Sequence, residues 1–347
     1  MARDSYAIAP LIEAAESKCG RQQCEDAIDL LEQAVRIQPG NPRLYYQLGV
    51  CYTGGCRSHR LTTPDLGEEY LRHALSLLGR SAKTILRASI LNALGNALGS
   101  CRRGSKSVRL REAIACHEEA AEIYRSNNLL EEWAREEFNL ANAWCELPEE
   151  EFPEKWAESI GDYRKALEVR TRAKDPQRHA ATLLNLGTAF RQLPSGDRTA
   201  NVMEAVRCYR KALRIYTLSA FPLQYAELCN NLGNACLSCP AQDEASQKRH
   251  ARDALRHFEC ALKVWTSEEQ PSRYSLAQYN RGCAYLRLSP SPENLKRAVA
   301  CFFQVCACGR SPEQAEIAGL ARAQMEKTRS KIQEWIGGMD QVDRRQA

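Results

Sequence analysis

The sequence predicts an all-α solenoid of about seven repeated helix pairs, closed by a C-terminal capping helix, and two repeating anchors carry this prediction. A small residue in NLG-like phrases recurs at intervals of 46, 46, 46, 46 and 49 residues. Its positions are Gly49, Gly95, Ala141, Gly187, Gly233 and Gly282. An alanine in a second recurring phrase is repeated at nearly the same interval, at Ala34, Ala74, Ala120, Ala166, Ala212 and Ala261. Because two anchors share one period, the chain is built from internal repeats.

Each repeat is expected to contain two amphipathic helices separated by proline-marked breaks. In NVMEAVRCYRKALRIYT, apolar residues follow the i, i+3, i+4, i+7 spacing of one helical face. They are Ala205, Cys208, Tyr209, Ala212, Leu213 and Tyr216. Breaks such as LPEEEFP, LPSGD and LSCPAQD follow the first helix of successive repeats, where proline cannot continue a helix. No alternating apolar and polar run is long enough to predict a strand.

The periodicity places the repeat array at residues 1–310 and a capping helix at 311–336. The approximate units are 8–41, 42–80, 83–126, 130–172, 176–218, 222–268 and 271–309. Ser311, Pro312 and Gln314 form a helix-start signal, with a capping box and a proline in the first turn. The apolar stripe of this helix fits a terminal cap, and a partner-binding amphipathic helix is the alternative. Residues 337–347 are expected to form a flexible tail.

The composition is that of a globular chain and argues against several classes of partner. Of the 347 residues, 44% are hydrophobic and 26% are charged. The net charge of +5, spread over 48 basic and 43 acidic residues, is too mild to indicate nucleic acid or an anionic membrane. No segment has the run of about 18 to 20 apolar residues that a membrane helix needs. Sixteen cysteines without a visible secretory signal indicate reduced thiols and a cytoplasmic location.

The repeat motif resembles the tetratricopeptide repeat over roughly residues 8 to 309. The first unit carries Ala27, Leu31, Ala34 and Pro39, followed by Leu48, Gly49 and Tyr52. Later units keep an aromatic residue in the first helix, at Trp144, Phe190 and Tyr285, and one in the second helix, at Tyr163, Tyr209 and Phe258. The period is longer than that of the motif. Three residues also depart from the motif: His117, Cys236 and Cys283. The resemblance implies a right-handed superhelix and a non-catalytic scaffold or adaptor that binds a peptide or protein in a concave groove lined by the first helices.

A narrower resemblance, carried by LPSGDRTANVMEAVRCYRKALRIYT, is to bacterial tetratricopeptide arrays that often precede a CHAT caspase-like peptidase domain. That peptidase needs a His–Cys pair on a separate α/β domain. About 40 residues follow Cys308, so we expect no peptidase in this chain. Two alternatives to the adaptor stay open. One is the regulatory subunit of a split protease or signalling system whose enzyme is separately encoded. The other is an RNA-binding helical-repeat protein, which the absence of an evident basic stripe disfavours.

A polar row beside the small anchor of the first helices is the candidate partner-binding site. At about 100° per residue, the positions two before and one after the anchor face away from the core stripe. The row comprises Asn96, Asn139, Asn142, Asn185, Thr188, Asn231, Asn234 and Asn280. Because an amide both donates and accepts hydrogen bonds, the row suits pairing with the backbone of an extended peptide. The alternative is that these amides bond to adjacent repeats and order the stack.

The sequence predicts no catalytic, metal or cofactor site. Cys236 and Cys239 have half of a zinc spacing, but no second pair lies at a matching distance. The cysteines are better explained as small, buried apolar residues. The six histidines form no nucleophile–base signature. Glu118, Glu119 and the run 149–151 are typical of solvated faces and loops.

Overall fold

The structure is a computed structural model that describes residues 10–11, 13–15, 18, 24–55, 63–79, 83–100, 104–288, 291–308 and 312–346. Within these ranges the backbone forms helices and loops and no strand, which confirms the predicted all-α class. The first helix of the first predicted unit and Ser311 of the predicted capping box fall largely or entirely outside the described residues. No helix of the described ranges has both the length and the apolar composition needed to cross a membrane.

The helices of the described residues alternate as the repeat predicts. The first helices of the repeats are α2 (Pro42–Val50), α4 (Ile85–Ser100), α6 (Leu130–Glu146), α8 (Pro176–Gln192), α10 (Pro222–Ser238) and α12 (Pro271–Leu288). The second helices are α1 (Cys24–Ile37), α3 (Pro64–Leu78), α5 (Lys106–Ser126), α7 (Lys155–Val169), α9 (Arg198–Leu213), α11 (Glu244–Leu262) and α13 (Pro292–Cys308). A π-helical turn, Cys51–Gly55, follows α2, and a last helix, α14, spans Pro312–Gln346.

The chain divides into two compact units, Met1–Thr171 and Arg172–Ala347. Helices α1 to α7 belong to the first unit, and helices α8 to α14 belong to the second. Within each unit every helix packs against the next one along the chain. Each first helix therefore contacts the second helix of its own repeat and, where the preceding repeat lies in the same unit, the second helix of that repeat. This nearest-neighbour packing is the pattern of a helical-repeat array, in which stacking of adjacent repeats buries the apolar faces.

Turn residues set the helix starts that the sequence breaks predict. Gly196 adopts a φ of 79° in the break between α8 and α9, and the next residue, Asp197, caps α9 by accepting a hydrogen bond from the Thr199 amide at 2.8 Å. Asp243 and Ser246 form a reciprocal capping box at the start of α11. Such caps satisfy amide groups that the first turn of a helix leaves without intrahelical partners.

The small anchor of each first helix makes room for one large side chain of the paired second helix. A Cβ atom added at Gly187 would lie 2.7 Å from a ring carbon of Tyr209, and one added at Gly233 would lie 2.5 Å from a ring carbon of Phe258. Both rings are completely buried. The same relation joins Gly49 to Leu71, Gly95 to His117 and Gly282 to Phe302. The small anchor therefore leaves a gap that one large side chain of the paired helix fills.

The second anchor forms the inner core of the helix pairs. Ala34, Ala74, Ala120, Ala166, Ala212 and Ala261 all have 0% exposure. Because the alanine side chain is small, a second helix with alanine at this position can pack closely against its neighbours without leaving a cavity. The recurrence of this residue therefore reflects a packing requirement.

The last helix extends further than the sequence predicts. Helix α14 continues to Gln346, beyond residue 336, and so includes residues 337–346 of the segment 337–347 for which a flexible tail is expected. Gly337 and Gly338 do not end it, since a glycine weakens a helix by roughly 0.5 to 1 kcal/mol without removing an amide donor as proline does. Ala318 and Ala321, near its start, are buried, and α14 packs against α13, as expected of a capping helix.

A methyl group added at the anchor should destabilise the fold. Gly187→Ala places a Cβ against Tyr209 and 3.1 Å from the carbonyl oxygen of Ala205, so we expect a loss of about 1 to 3 kcal/mol from overpacking. The matched variant Gly161→Ala lies in α7 with nothing within 4 Å of the new methyl group, and should gain about 0.5 to 1 kcal/mol. Urea unfolding followed by circular dichroism measures both. Effects of the same sign would contradict the anchor role.

Candidate functional site

The predicted polar row lies on first helices in both units, and its members differ in exposure. Asn96 is exposed, whereas the other seven residues are half-buried. These residues lie opposite the core stripe of their own helices, and side chains of neighbouring helices partly cover them in the folded chain. Exposure alone therefore does not separate a binding role from a structural role, and the hydrogen bonds of each residue have to be compared.

Three members of the row line one cavity in the first unit. Asn96, Asn139 and Asn142 border a space of about 230 Å³ between α4 and α6. Helix α5 forms the floor through Leu110, Ala113 and His117. Glu146 also lines the cavity, and its carboxylate forms an ion pair with Lys106 at 3.3 Å. The sequence row thus corresponds, in this unit, to one polar cavity.

A hydroxyl group on the second helix decides whether the residue after the anchor is hydrogen-bonded. The Tyr163 hydroxyl donates to Asn142 Oδ1 at 2.6 Å, and the hydroxyls of Tyr209 and Thr188 are 3.1 Å apart. Tyr209 is the ring that faces the anchor Gly187, and Tyr163 occupies the corresponding position 22 residues after Ala141. These two members of the row therefore tie the two helices of a repeat together.

Where the facing ring has no hydroxyl, the residue after the anchor is open. Asn234 follows Gly233, which faces Phe258, and its side chain makes no hydrogen bond within the described part of the chain. Asn96 follows Gly95, which faces His117, and bonds only to Asn92 of its own helix at 3.3 Å. The residue type at the ring position thus explains the difference.

The residues two positions before the anchor also include both hydrogen-bonded and open members. Asn139 and Asn231 have no side-chain hydrogen bond among the described residues, whereas Asn280 donates to Asn230 of the preceding first helix at 3.2 Å. Asn185 has an interaction with a neighbouring group. Four members are therefore engaged within the protein, namely Asn142, Asn185, Thr188 and Asn280. We call the remaining four the open amides: Asn96, Asn139, Asn231 and Asn234.

A buried polar pair beneath the cavity is not foreseen from the sequence. His117 Nδ1 lies 2.9 Å from Glu136 Oε2, and the two residues are 2% and 0% exposed. Glu136 Oε1 accepts hydrogen bonds from the Asn92 amide and, at 3.4 Å, from Arg135 Nε. The corresponding positions hold Leu71 and Ile90 in the preceding repeat, and Tyr209 and Leu228 in the second unit. Histidine at a ring position is the one available sequence signal.

The cysteine pair that resembles half of a zinc site has the properties of packed thiols. Burial raises the pKa of the Cys236 thiol to about 11, and it also raises the pKa of Cys239. A metal ligand must be the thiolate, which this environment disfavours. Within the described residues no group of three or more His, Cys, Asp and Glu side chains is arranged to hold a metal ion.

A second cavity in the first unit is acidic and lies between second helices. It has a volume of about 320 Å³, lies between α5 and α7, and is lined by Trp133 and Trp144 of α6. Lys165 Nζ lies 2.7 Å from Asp162 Oδ1 and 3.3 Å from Glu137 Oε2, so one ammonium group serves two buried carboxylates. Burial raises the pKa of Asp162 to about 6 despite the hydrogen bond from Lys165. The site is a partly buried charge cluster.

Comparison with known proteins identifies the fold. The chain is similar to a tetratricopeptide repeat protein from Parabacteroides merdae, with 15% identity, 91% of this chain and 99% of that chain covered, and a TM-score of 0.55. It is also similar to the C-terminal part of a tetratricopeptide repeat-containing protein from Cytophaga hutchinsonii, with 13% identity, 88% and 98% covered, and a TM-score of 0.52. No protein-family model and no curated protein sequence matches the chain. The chain therefore has the tetratricopeptide-repeat fold.

Truncation of an engaged amide and of an open amide should have opposite effects on stability. Asn142→Ala removes the acceptor of the buried Tyr163 hydroxyl, so we expect a loss of about 0.5 to 1.5 kcal/mol. Asn234→Ala removes no hydrogen bond within the described residues and introduces the better helix former, so its stability should be equal or slightly higher. Urea unfolding of the two variants measures the difference. A large loss in Asn234→Ala would show that the open amides are structural.

The ionisation of Asp162 should lower stability at neutral pH. Its folded-state pKa of about 6 exceeds the ordinary value of 3.8, so its favourable contribution is fully present below about pH 4 and is lost as the pH rises through 6. Asp162→Asn should therefore stabilise the first unit at pH 7.5 more than at pH 4, as measured by urea unfolding at both values. Glu122→Gln, which removes an exposed charge from the same cavity, is the control. A larger loss in Asp162→Asn at pH 7.5 than at pH 4 would show that the bond to Lys165 outweighs burial.

Proposed function

We propose that the chain is a non-catalytic scaffold or adaptor that binds a peptide, or an extended segment of a partner protein, on the face of its first helices. The observation that carries this proposal is the set of open amides. Asn139, Asn231 and Asn234 are half-buried on first helices and leave their donors and acceptors without partners inside the described protein. Amides in such positions are ready to bond an external group.

The chemistry of the open amides favours a peptide backbone as the bound group. A backbone segment offers alternating carbonyl acceptors and amide donors, and each asparagine side chain can pair with either kind of group. The two units each carry open amides, Asn96 and Asn139 in the first and Asn231 and Asn234 in the second. The tetratricopeptide-repeat fold supports this proposal at the coarser level of a protein-interaction scaffold. A cytoplasmic location and a separately encoded peptidase or signalling protein as the partner remain predictions.

A selected peptide should lose affinity when the open amides are removed. Octapeptides are first selected from a random library on the full chain. The variant combining Asn139→Ala, Asn231→Ala and Asn234→Ala should then bind them at least about tenfold more weakly, because each lost hydrogen bond contributes roughly 0.5 to 1.5 kcal/mol. Fluorescence anisotropy with labelled peptides measures the dissociation constants.

The control for this experiment is Gln247→Ala, which removes an exposed amide from the second helix α11 and should leave affinity unchanged. Equal affinity of the triple variant and the wild-type chain would contradict the proposed face. Failure of the library to yield any binding peptide would contradict the peptide-binding function itself. Preferential binding of a single-stranded RNA of random sequence, with a steep dependence on salt concentration, would favour the RNA-binding alternative instead.

A further inference from the structure

His117 is the chemical exception in the array of ring positions. The residue that faces the small anchor is leucine, tyrosine or phenylalanine in the other repeats, at Leu71, Tyr163, Tyr209, Phe258 and Phe302. Only the repeat formed by α4 and α5 carries an imidazole there, and this imidazole lies on the floor of the cavity between α4 and α6. A side chain that serves packing alone does not require ring nitrogens.

The buried carboxylate of Glu136 fixes the tautomer of His117. Glu136 Oε1 receives two donated hydrogen bonds, from the Asn92 amide and from Arg135 Nε, so this side chain acts as an accepting carboxylate. Its other oxygen lies 2.9 Å from Nδ1 of His117. Nδ1 must therefore carry the hydrogen, which is the usual effect of a carboxylate on an imidazole that serves another ligand. In the neutral form of the imidazole the lone pair is then on Nε2.

Nε2 of His117 lies at the wall of the cavity next to Gly95. A Cβ atom at position 95 would lie 2.5 Å from Nε2, so only a residue without a side chain lets α4 pack this closely against the ring. Within the described residues Nε2 has no hydrogen-bond partner. Asn139 is a further open group of the cavity, and Asn96 lies beside it. A ligand group that fills the space must donate a hydrogen bond to Nε2 and can accept one from an asparagine amide.

The charges around the cavity select against an ionised ligand group. A carboxylate would meet the lone pair of Nε2 and the negative charge of Glu136 behind the ring. An ammonium group has no acceptor for the N–H groups of the asparagine side chains. It would also lose its hydration in a site where the negative charges already have partners. Glu136 is bonded to three groups, and Glu146 is paired with Lys106. A primary amide is neutral and supplies both a donor and an acceptor.

We infer that this cavity binds the primary amide of a glutamine or asparagine side chain of the partner, with His117 Nε2 accepting its N–H group. The inference rests on the proposed peptide-binding function and specifies one side chain of the bound peptide. Glu136 acts as a positioning residue, because it holds the imidazole in the accepting tautomer without touching the ligand.

A double variant separates this role from a structural role of the buried pair. His117→Phe alone would leave Glu136 buried without one of its partners, which is costly. We therefore combine His117→Phe with Glu136→Leu, which installs the ring of Phe258 and the leucine found at position 228. Replacing a buried charged group together with its partner by apolar residues of similar size is often neutral or stabilising. Thermal unfolding by circular dichroism verifies that this double variant is folded.

The experiment is a positional-scanning octapeptide library presented to the wild-type full chain and to the double variant. Wild type should enrich glutamine or asparagine at one position, by about tenfold over glutamate and over methionine, because a site built to hydrogen-bond a group rejects analogues that lack it. The folded double variant should still bind peptides and should lose this preference. Gln247→Ala, on the second helix α11 of the other unit, should retain it.

Each other result overturns the inference in a distinguishable way. An equal preference for glutamine in both proteins would show that His117 does not read the side chain. Enrichment of glutamate or lysine at the position would show that the tautomer or charge argument is wrong. Peptide binding without any preference would remove the inference and leave the proposed scaffold function intact. Absence of peptide binding to the wild-type chain would remove the proposed function as well.

Discussion

The placement of one large second-helix side chain over the small residue of its partner first helix is the interaction on which the rest of the structure depends. At Gly187 and Gly233 the facing ring occupies the space that a Cβ atom would need, and the ring itself is completely buried. This contact fixes the distance and the rotation of the two helices in each repeat. The polar row lies beside it, so the same contact also determines which side-chain groups point away from the core.

The helix pairs of this fold are predictable from the sequence because their signals are local or periodic. Proline breaks, capping residues and the apolar spacing along each helix act over a few residues, and the repeat supplies several independent copies of each signal. The anchors Ala212 and Gly187 are recognisable for the same reason. The end of the last helix is less predictable, since Gly337 and Gly338 lower helix stability without forbidding the conformation.

The division of the polar row could not be predicted from the row itself. Whether Asn142 or Asn234 is engaged depends on the residue at the ring position more than 20 residues later, where Tyr163 carries a hydroxyl and Phe258 does not. The relation is readable only after the structure shows which residue faces the anchor. The contact of His117 with Glu136 is harder still, because it joins the second helix of one repeat to the first helix of the next and depends on how adjacent repeats stack.

The contact between His117 and Glu136 also affects which repeats stack on each other during folding. Repeats of similar sequence can stack on the wrong neighbour, since most of their interfaces are interchangeable apolar surfaces. Glu136 distinguishes its correct neighbour, because only α5 presents an imidazole to it. If α6 docked on α3 instead, Leu71 would stand in the place of His117 and a carboxylate would be buried without that donor. Such a stack would bury an unpaired charge, and the cost of its desolvation disfavours it. The pair therefore favours the correct register of adjacent repeats during folding.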